Sequence, residues 1–242
     1  AAGVLLVSLG SDYNVFVVGR IWREAERMPL QEAIAVATDV TKTEDCDALV
    51  AAAMDAFGRV DILVNNAGVG GENPMDLQQF RDMDPSAWDG PIRVNLHGVM
   101  NCCKVAIPEM LAQGRGTLFN MEGFGSDGLT DAGMSVYGTT KCAVRYFTKA
   151  LIKDYKDTPL VIGLMSPGIV VTDLLVRDLY KPGSPEFEKR RRFLNILADR
   201  VETVVPFLVD GALAARRTGV AVRWMTPAQA VPRLLKSLFV KR

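Results

Sequence analysis

The sequence is poor in the residues that build metal centres and disulfide frameworks. Among 242 residues there are one histidine and four cysteines. The cysteines show no paired metal-binding spacing, and two of them, Cys102 and Cys103, are adjacent, so we expect neither a metal site nor a disulfide framework. Free cysteines are typical of a reducing compartment, which predicts a cytoplasmic location.

The sequence also lacks a charge excess and a long apolar run. Lys and Arg total 28 and Asp and Glu total 28, so there is no electrostatic reason to expect a nucleic acid partner. No apolar run reaches the roughly 20 residues that a membrane-spanning helix needs. A single domain over residues 1–242 is the expected organisation, because α/β domains of this length are common.

What the sequence does contain is an alternation of short apolar runs with longer stretches of helical period. Strands are predicted at residues 15–18, 34–37, 62–64, 117–120, 161–164 and 220–224, and helices at 43–57, 92–111, 136–155 and 202–215. Most strand runs are apolar on successive residues, as in strands that are buried on both faces. This order predicts an α/β fold with a doubly wound parallel sheet of the Rossmann type.

Residues 177–199 interrupt the alternation with Pro182, Gly183, Pro185 and a basic cluster at 190–192. An irregular segment of this length is more often functional than a plain connection. The three arginines of the cluster have two interpretations: a solvated face of a helix, or recognition of an acidic group on a substrate.

A tyrosine and a lysine carry the first chemical signal. Tyr137 and Lys141 are four residues apart, so on a helix they share one face. A nearby cation stabilises a phenolate and lowers a tyrosine pKa from about 10, which makes Tyr137 a candidate general acid or base. The same spacing also occurs on ordinary solvated helix faces.

The second signal lies at the end of predicted strand 62–64. The apolar run continues into Asn65, Asn66, Ala67 and Gly68, at the edge where a doubly wound sheet holds its ligand. Small residues let a nucleotide approach the backbone, and asparagine side chains can bond neighbouring peptides. An ordinary turn would give the same sequence.

Together these segments resemble the short-chain dehydrogenase/reductase family over residues 9–226. The matching pieces follow the family's order and spacing: Val17-Val18-Gly19-Arg20, Thr38-Asp39-Val40, Asn65-Asn66-Ala67-Gly68, Val94-Asn95-Leu96, Tyr137 with Lys141, and Ser166-Pro167-Gly168 followed by Thr172. The resemblance implies an oxidoreductase that moves a hydride between a nicotinamide cofactor and a carbonyl or hydroxyl group. It also implies a dimer or a tetramer, formed through the helices that carry Asn95 and Tyr137.

The resemblance further implies roles for individual residues. Tyr137 would exchange a proton with the substrate oxygen, Lys141 would hold the nicotinamide ribose, and Asn95 would hold a water that links this lysine to solvent. The residues implied to line the cofactor are Asp39 and Val40 at the adenine, Asn66, Ala67 and Gly68 at the adenosine ribose, and Pro167, Gly168 and Thr172 at the nicotinamide end. The single histidine, His97, is expected to be packed or on the surface rather than catalytic.

Cofactor choice depends on the residues after the first predicted strand, which corresponds to the family's second. Relatives that prefer NAD carry a carboxylate there, whereas this chain has Gly19 followed by Arg20. A guanidinium suits the 2′-phosphate of NADP, so NADP is the predicted cofactor and NAD the second choice. An arginine solvated at the end of a strand is the alternative.

The sequence departs from the family pattern at two places. Counting back from Arg20, the last glycine of the phosphate-binding loop falls near Ala1, so the family's first strand and most of that loop are predicted to be missing from this chain. The second place is the loop after predicted strand 117–120, where a serine is usual and this sequence has Glu122 and Gly123. Ser126 is the nearest hydroxyl and could polarise the substrate oxygen or stabilise the loop. Glu122 could contact a ligand or stabilise a turn.

This altered loop, together with residues 136–142 and 195–204, resembles the branch that contains chlorophyll b reductases and their bacterial relatives. The branch does not identify the substrate, because specificity lies in the site; a small lipophilic carbonyl or alcohol is expected. The tail from Pro232 to Arg242 is basic and amphipathic. It could rest on a membrane surface, dock on the domain or form a subunit interface.

Two functions remain open. The first is an NADPH-dependent carbonyl reductase, which the complete set of Tyr137, Lys141 and Asn95 favours because a binding protein does not need a proton path. The second is a non-catalytic member of the same fold that binds a dinucleotide or a partner protein. The displaced serine and the missing loop favour this second function.

Overall fold

A computed structural model of the chain describes residues 4–7, 36–70, 79–172 and 185–239. Its elements in chain order are strand β1 (Val4–Val7), helix α1 (Thr43–Phe57), strand β2 (Ile62–Asn65), a 3-10 turn (Phe80–Asp82), helix α2 (Ser86–Ile92), a π-helix (Arg93–Gly98), helix α3 (Val99–Ala112), strand β3 (Gly116–Met121), helix α4 (Ser135–Asp154), strands β4 (Leu160–Ser166) and β5 (Val170–Val171), helix α5 (Pro185–Leu197), strand β6 (Asp199–Arg200), helix α6 (Val201–Ala214), strand β7 (Ala221–Arg223) and helix α7 (Pro227–Phe239).

Five of these strands lie side by side in one sheet. Their order is β1-β2-β3-β4-β7, and every neighbouring pair is parallel. Strands β5 and β6 form a separate parallel pair. The parallel sheet with helical connections confirms the predicted fold class. Because all five strands run in the same direction, the residues that follow β2, β3 and β4 meet at one edge of the sheet.

Strand β1 corrects one expectation from the sequence. Val4 lies opposite Ile62 and Val7 opposite Asn65, so the chain does supply a strand beside β2. The expectation that this strand is missing is wrong, because it rested on a count along the family pattern. An apolar run of valine and leucine is able to form a strand wherever it finds a parallel partner. The predicted strand at 15–18, Arg20 and the residues that directly follow β1 lie outside the described residues, so the expected absence of the phosphate-binding loop stays a prediction.

The other elements differ from prediction mainly in their bounds. The helix at 43–57 is confirmed as α1, and predicted helix 92–111 is divided by the π-helix that joins α2 to α3. Residues 36–37 are irregular rather than part of a strand. The expected irregularity at 177–199 is wrong for Pro185–Leu197, which form α5. Proline is well tolerated at the first position of a helix, and arginine and lysine are good helix formers.

Helices cover both faces of the sheet. On one face α1, α3 and α4 pack around Leu63, Leu118 and Ile162. On the other face α6 packs around Phe119 and Val222. Leu118 and Phe119 are neighbours in β3 and enter opposite cores, which explains why the strand sequences are apolar without alternation.

Three further features bear on the sequence-based expectations. Among the described residues, no helix is long and apolar enough to cross a bilayer. The same residues contain no cluster of three or more histidine, cysteine or acidic side chains that could hold a metal ion. All four cysteines are free thiols; Cys142 is exposed and the other three are buried. Burial raises the pKa of the Cys103 thiol to about 12, so this thiol is neutral in the core.

Candidate active site

Helix α4 carries the predicted proton-handling pair. Tyr137 lies in its first turn and Lys141 in the next. The Lys141 Nζ lies 5.8 Å from the centre of the Tyr137 ring, which is within the range of a cation–π contact. Lys141 is 5% exposed, and burial lowers its pKa to about 8. The structure therefore places the cation and the phenol side by side.

The hydroxyl of Tyr137 has room because the loop after β3 contains a glycine. A Cβ atom on Gly123 would lie 2.5 Å from Tyr137 Oη and 3.2 Å from Lys141 Cε. Any residue with a side chain would displace the tyrosine or the lysine, because non-bonded carbon atoms prefer separations of about 3.5–4 Å. From the sequence, Gly123 is notable only as the absence of a serine; its contact with the tyrosine depends on the fold.

Ser126 is buried beneath the same loop. Its Oγ accepts a hydrogen bond from the Gly123 N–H at 3.0 Å and donates to the Lys141 carbonyl at 3.3 Å. These two bonds attach the loop to α4 and hold Gly123 against the tyrosine. They are the contacts expected of a loop-stabilising serine. Contact between Ser126 and a substrate oxygen stays a prediction.

Asn95 holds the loop after β2 against α4. It lies in the π-helix and is 0% exposed. Its Oδ1 accepts the Val69 N–H at 2.7 Å, while its Nδ2 donates to the Val69 carbonyl at 2.8 Å and to Thr140 Oγ1 at 3.0 Å. π-Helical turns are frequent at functional sites. Asn95 is thus a positioning residue in this structure, and its water-holding role stays a prediction.

The loop that Asn95 holds passes directly over the lysine. A Cβ atom on Gly68 would lie 3.3 Å from Lys141 Nζ and 3.4 Å from Asn95 Oδ1. Ala67 is buried, and the Asn66 N–H donates to the Val64 carbonyl at 3.1 Å, which turns the chain at the end of β2. Because a glycine has no side chain, the loop can approach the lysine this closely.

The segment implied to border the adenine is held by local contacts. Val40 is buried against Gly98, where a Cβ atom would lie 2.6 Å from Val40 Cγ2. Asp39 is exposed, and its carboxylate accepts the hydroxyl and the N–H of Thr41. The hydroxyl of Thr41, followed by its N–H, holds the pKa of Asp39 below its usual value. Contact between this segment and an adenine stays a prediction.

The chain after β4 turns at a glycine. Gly168 has a φ of 68°, a conformation that favours glycine, and it follows the half-buried Pro167. Nearby in the sequence, Thr172 Oγ1 is buried without a hydrogen-bond partner in the described part of the chain. Buried hydroxyl groups are nearly always paired. This orphaned hydroxyl is available to a polar group of a ligand at the predicted nicotinamide end.

Two of these observations indicate that the residues present fit a nicotinamide dinucleotide. Thr172 offers an unpaired buried hydroxyl just after β5, and at Gly68 the backbone after β2 approaches Lys141 closely with no side chain in between. Both lie beyond the carboxyl ends of parallel strands, where sheets of this type bind dinucleotides.

Glu122 forms an ion-pair cluster that the sequence alone did not reveal. It directly precedes Gly123, and its side chain is 4% exposed. Arg223 at the end of β7 donates to both of its carboxylate oxygens, at 3.0 and 3.4 Å, and Arg145 of α4 lies 3.4 Å away. The carboxylate therefore ties three elements together. The sequence does show a charged residue at the end of each of two apolar strands, Glu122 and Arg223. That these two residues pair depends on the fold.

A buried polar network lies behind the site. Asn65 Nδ2 donates to Asn120 Oδ1 at 2.8 Å, and Asn120 Nδ2 donates to Thr148 Oγ1 at 2.9 Å. The Thr148 hydroxyl donates in turn to the Val144 carbonyl at 2.7 Å. This chain of bonds connects β2, β3 and α4. Because each member would be costly to leave unpaired, the network fixes the position of α4 on the sheet.

Removing the Glu122 carboxylate should destabilise the fold. Glu122→Ala leaves two arginines without their shared counter-charge, and we expect the free energy of unfolding to fall by about 2 kcal/mol, less than for a fully buried pair because the arginines are partly exposed. Guanidinium denaturation measures this change. The control Glu109→Ala, at a half-exposed glutamate of α3, should stay within about 0.5 kcal/mol of wild type. Equal losses in the two variants would contradict the role given to the cluster.

The chain matches one family profile and is similar in sequence to several known proteins. A sequence profile described as short chain dehydrogenase matches residues 7–180. The chain is 34% identical over 209 residues to the probable chlorophyll(ide) b reductase NYC1 of Oryza sativa subsp. japonica, covering 86% of this chain and 38% of that protein. It is 32% identical over 206 residues to the chlorophyll(ide) b reductase NOL of Arabidopsis thaliana, covering 81% and 56%. It is 33% identical over 158 residues to the uncharacterized oxidoreductase SAR2567 of Staphylococcus aureus, covering 65% of each.

The chain thus spans between 38% and 65% of the length of these relatives. In three dimensions it superposes on the closed form of serine dehydrogenase complexed with NADP+ with a TM-score of 0.72 at 20% identity, covering 93% of this chain and 96% of that one. For the KRED1-Pglu enzyme the TM-score is 0.69 at 24% identity, covering 90% and 95%. At these identities the structural likeness establishes the fold. The profile match and the sequence relatives establish more: the chain belongs to the short chain dehydrogenase family.

Proposed function

We propose that this chain is an NADPH-dependent carbonyl reductase in which Tyr137 is the general acid. The observation that carries the proposal is the buried Lys141 beside Tyr137, whose hydroxyl packs against Gly123 in the loop after β3. A binding protein would not need a tyrosine and a lysine arranged for proton transfer. Membership of an oxidoreductase family supports the same conclusion.

The proton transfer follows from the positions of these groups. A substrate carbonyl oxygen beside Tyr137 Oη would take the phenolic proton as negative charge develops on it. The Lys141 cation would stabilise the phenolate that remains, and this effect is strong because the lysine is shielded from water. When bound, the nicotinamide supplies the hydride.

Several residues would hold the cofactor. The NADP preference is supported by Arg20, which lies outside the described residues, and by the NADP+ in the serine dehydrogenase complex. Lys141 would bind the nicotinamide ribose, and the orphaned Thr172 hydroxyl would bind a polar group of the nicotinamide end. NAD is the second choice.

The proposal also covers the class of substrate and the oligomeric assembly. A lipophilic carbonyl compound is favoured by the relatives named as chlorophyll(ide) b reductases. Assembly into a dimer or a tetramer is supported by apolar side chains at the surface of α3, where Met100 and Leu111 are each 36% exposed. The single-domain organisation and the cytoplasmic location stay predictions.

Removing the phenolic hydroxyl should abolish most of the turnover. We expect Tyr137→Phe to lower kcat for reduction of lipophilic ketones and aldehydes by about 10²- to 10⁴-fold, because the general acid is lost. NADPH absorbance measures the rate, and NADPH binding should persist. Tyr146→Phe makes the same change at an exposed position of the same helix and should keep wild-type kcat. Unchanged turnover in Tyr137→Phe would refute the proposal, and NADPH binding without turnover of any carbonyl by wild type would favour the non-catalytic alternative.

Raising the pH through about 8 should slow carbonyl reduction. Burial lowers the pKa of Lys141 from 10.5 to about 8, so the lysine is cationic below this pH and neutral above it. Loss of the cation removes the stabilisation of the phenolate, so kcat should be level below pH 8 and fall up to about tenfold per pH unit above it. The profile is measured at saturating NADPH and carbonyl substrate.

A charge-retaining variant is the control for this profile. In Lys141→Arg the guanidinium stays protonated throughout the range, so the fall that begins near pH 8 should be absent, and kcat should fall only where Tyr137 itself loses its proton. A level profile for wild type, or the same fall in both proteins, would show that Lys141 does not set the pH dependence.

A further inference from the structure

Helix α7 presents apolar side chains to the outside of the molecule. Val231, Leu234 and Leu235 are 52%, 41% and 55% exposed. Their spacing of three and four residues puts them on one side of the helix. We call these three residues the outer stripe.

The opposite side of α7 meets the domain through small and polar residues. Ala230, Arg233 and Ser237 are the half-buried residues of this side. Arg233 Nη1 lies 2.7 Å from Asp199 Oδ2, and the same oxygen accepts the Trp224 Nε1–H at 2.7 Å. A surface helix normally turns its apolar side to the core. In α7 the apolar side faces away from the domain instead. The outer stripe is therefore available to a partner outside the domain.

Basic side chains are exposed beside the outer stripe. Lys236 is exposed beside Leu235. Helix α7 itself carries no acidic residue, and its one other basic residue, Arg233, is paired with Asp199. Helix α5 packs against α7 and exposes Arg192 and Phe193, the latter by 48%. Apolar side chains flanked by basic ones are typical of helices that lie in the interface of an anionic bilayer.

This corner of the molecule also adjoins the nicotinamide end of the site. Asp199, which anchors α7, begins β6, and β6 pairs with β5 just after Gly168. A Cβ atom on Gly168 would lie 2.7 Å from the Cβ of Met225, shortly before α7. A surface that docks through α7 would therefore lie near the segment after β4.

We propose that the outer stripe docks on the surface of a bilayer containing anionic lipids, with the three apolar side chains in the interfacial layer and the basic residues at the headgroups. The occupant is lipid rather than a second copy of the chain, because an interface between two copies would bring the exposed Lys236 and Arg192 of one copy towards those of the other. Docking would let a lipophilic carbonyl compound reach the site from the bilayer, a consequence that rests on the proposed function; the docking itself does not.

Vesicle sedimentation with the full chain tests the proposal. Wild type should sediment with vesicles of equal parts phosphatidylglycerol and phosphatidylcholine, and much less with pure phosphatidylcholine. Leu235→Glu should weaken binding to the anionic vesicles at least about tenfold, because it removes an apolar contact and adds a like charge. Leu129→Glu is the matched control at another exposed leucine, 63% exposed, and should bind as wild type does.

A second variant separates a loss of docking from a loss of folding. Lys236→Gln removes one charge from an exposed position and should weaken anionic binding severalfold, with an unchanged circular dichroism spectrum. The proposal is overturned if wild type does not bind anionic vesicles, or if Leu235→Glu and Leu129→Glu bind equally. A third contrary result is that wild type does not bind vesicles and that Leu235→Glu dissociates an oligomer in sedimentation velocity. The outer stripe would then be an interface between copies of the chain. Turnover of a water-soluble ketone without vesicles tests the proposed function separately.

Discussion

The burial of Lys141 is the constraint on which the rest of the site depends. A cation with 5% of its surface exposed is costly unless polar or aromatic groups surround it. Here the Met121 carbonyl and the Tyr137 ring lie beside it. Two loops close over it, and each has a glycine at the point of approach: a Cβ atom would lie 3.3 Å from Nζ at Gly68 and 3.2 Å from Cε at Gly123. The loops can enclose the lysine because these residues have no side chain.

The lysine keeps its position because α4 is attached to its surroundings by buried hydrogen bonds. Asn120 of β3 donates to Thr148, and Asn95 of the π-helix donates to Thr140. Each bond contributes only about 1 kcal/mol, but an unpaired partner would cost more, so the bonds select one position of the helix. Glu122 adds an ionic contact to the same helix. The reacting groups are thus held by interactions that take no part in the chemistry.

Sequence patterns predict elements and pairs within one element better than contacts between elements. Helix α1 and the spacing of the tyrosine and lysine need only local periodicity. The contact of Gly123 with Tyr137 is not predictable in this way, because a glycine has no side chain and its neighbour is set by the fold. Arg223 is 101 residues from Glu122, and no pattern pairs them. The position of β1 depends on strand pairing, which a count along the sequence does not contain. The amphipathic pattern of α7 predicts two sides but not which one meets the domain.

The most direct test of the site adds one methyl group to the space beside the tyrosine. Gly123→Ala would place a Cβ atom 2.5 Å from Tyr137 Oη. We expect kcat for NADPH-dependent carbonyl reduction to fall about 100-fold, because small misplacements of catalytic groups have effects of this size. Gly90→Ala is the matched control, since its added methyl group would meet nothing within 4 Å, and it should keep wild-type kcat. Equal kcat in the two variants, at equal free energies of unfolding, would contradict the role given to this space.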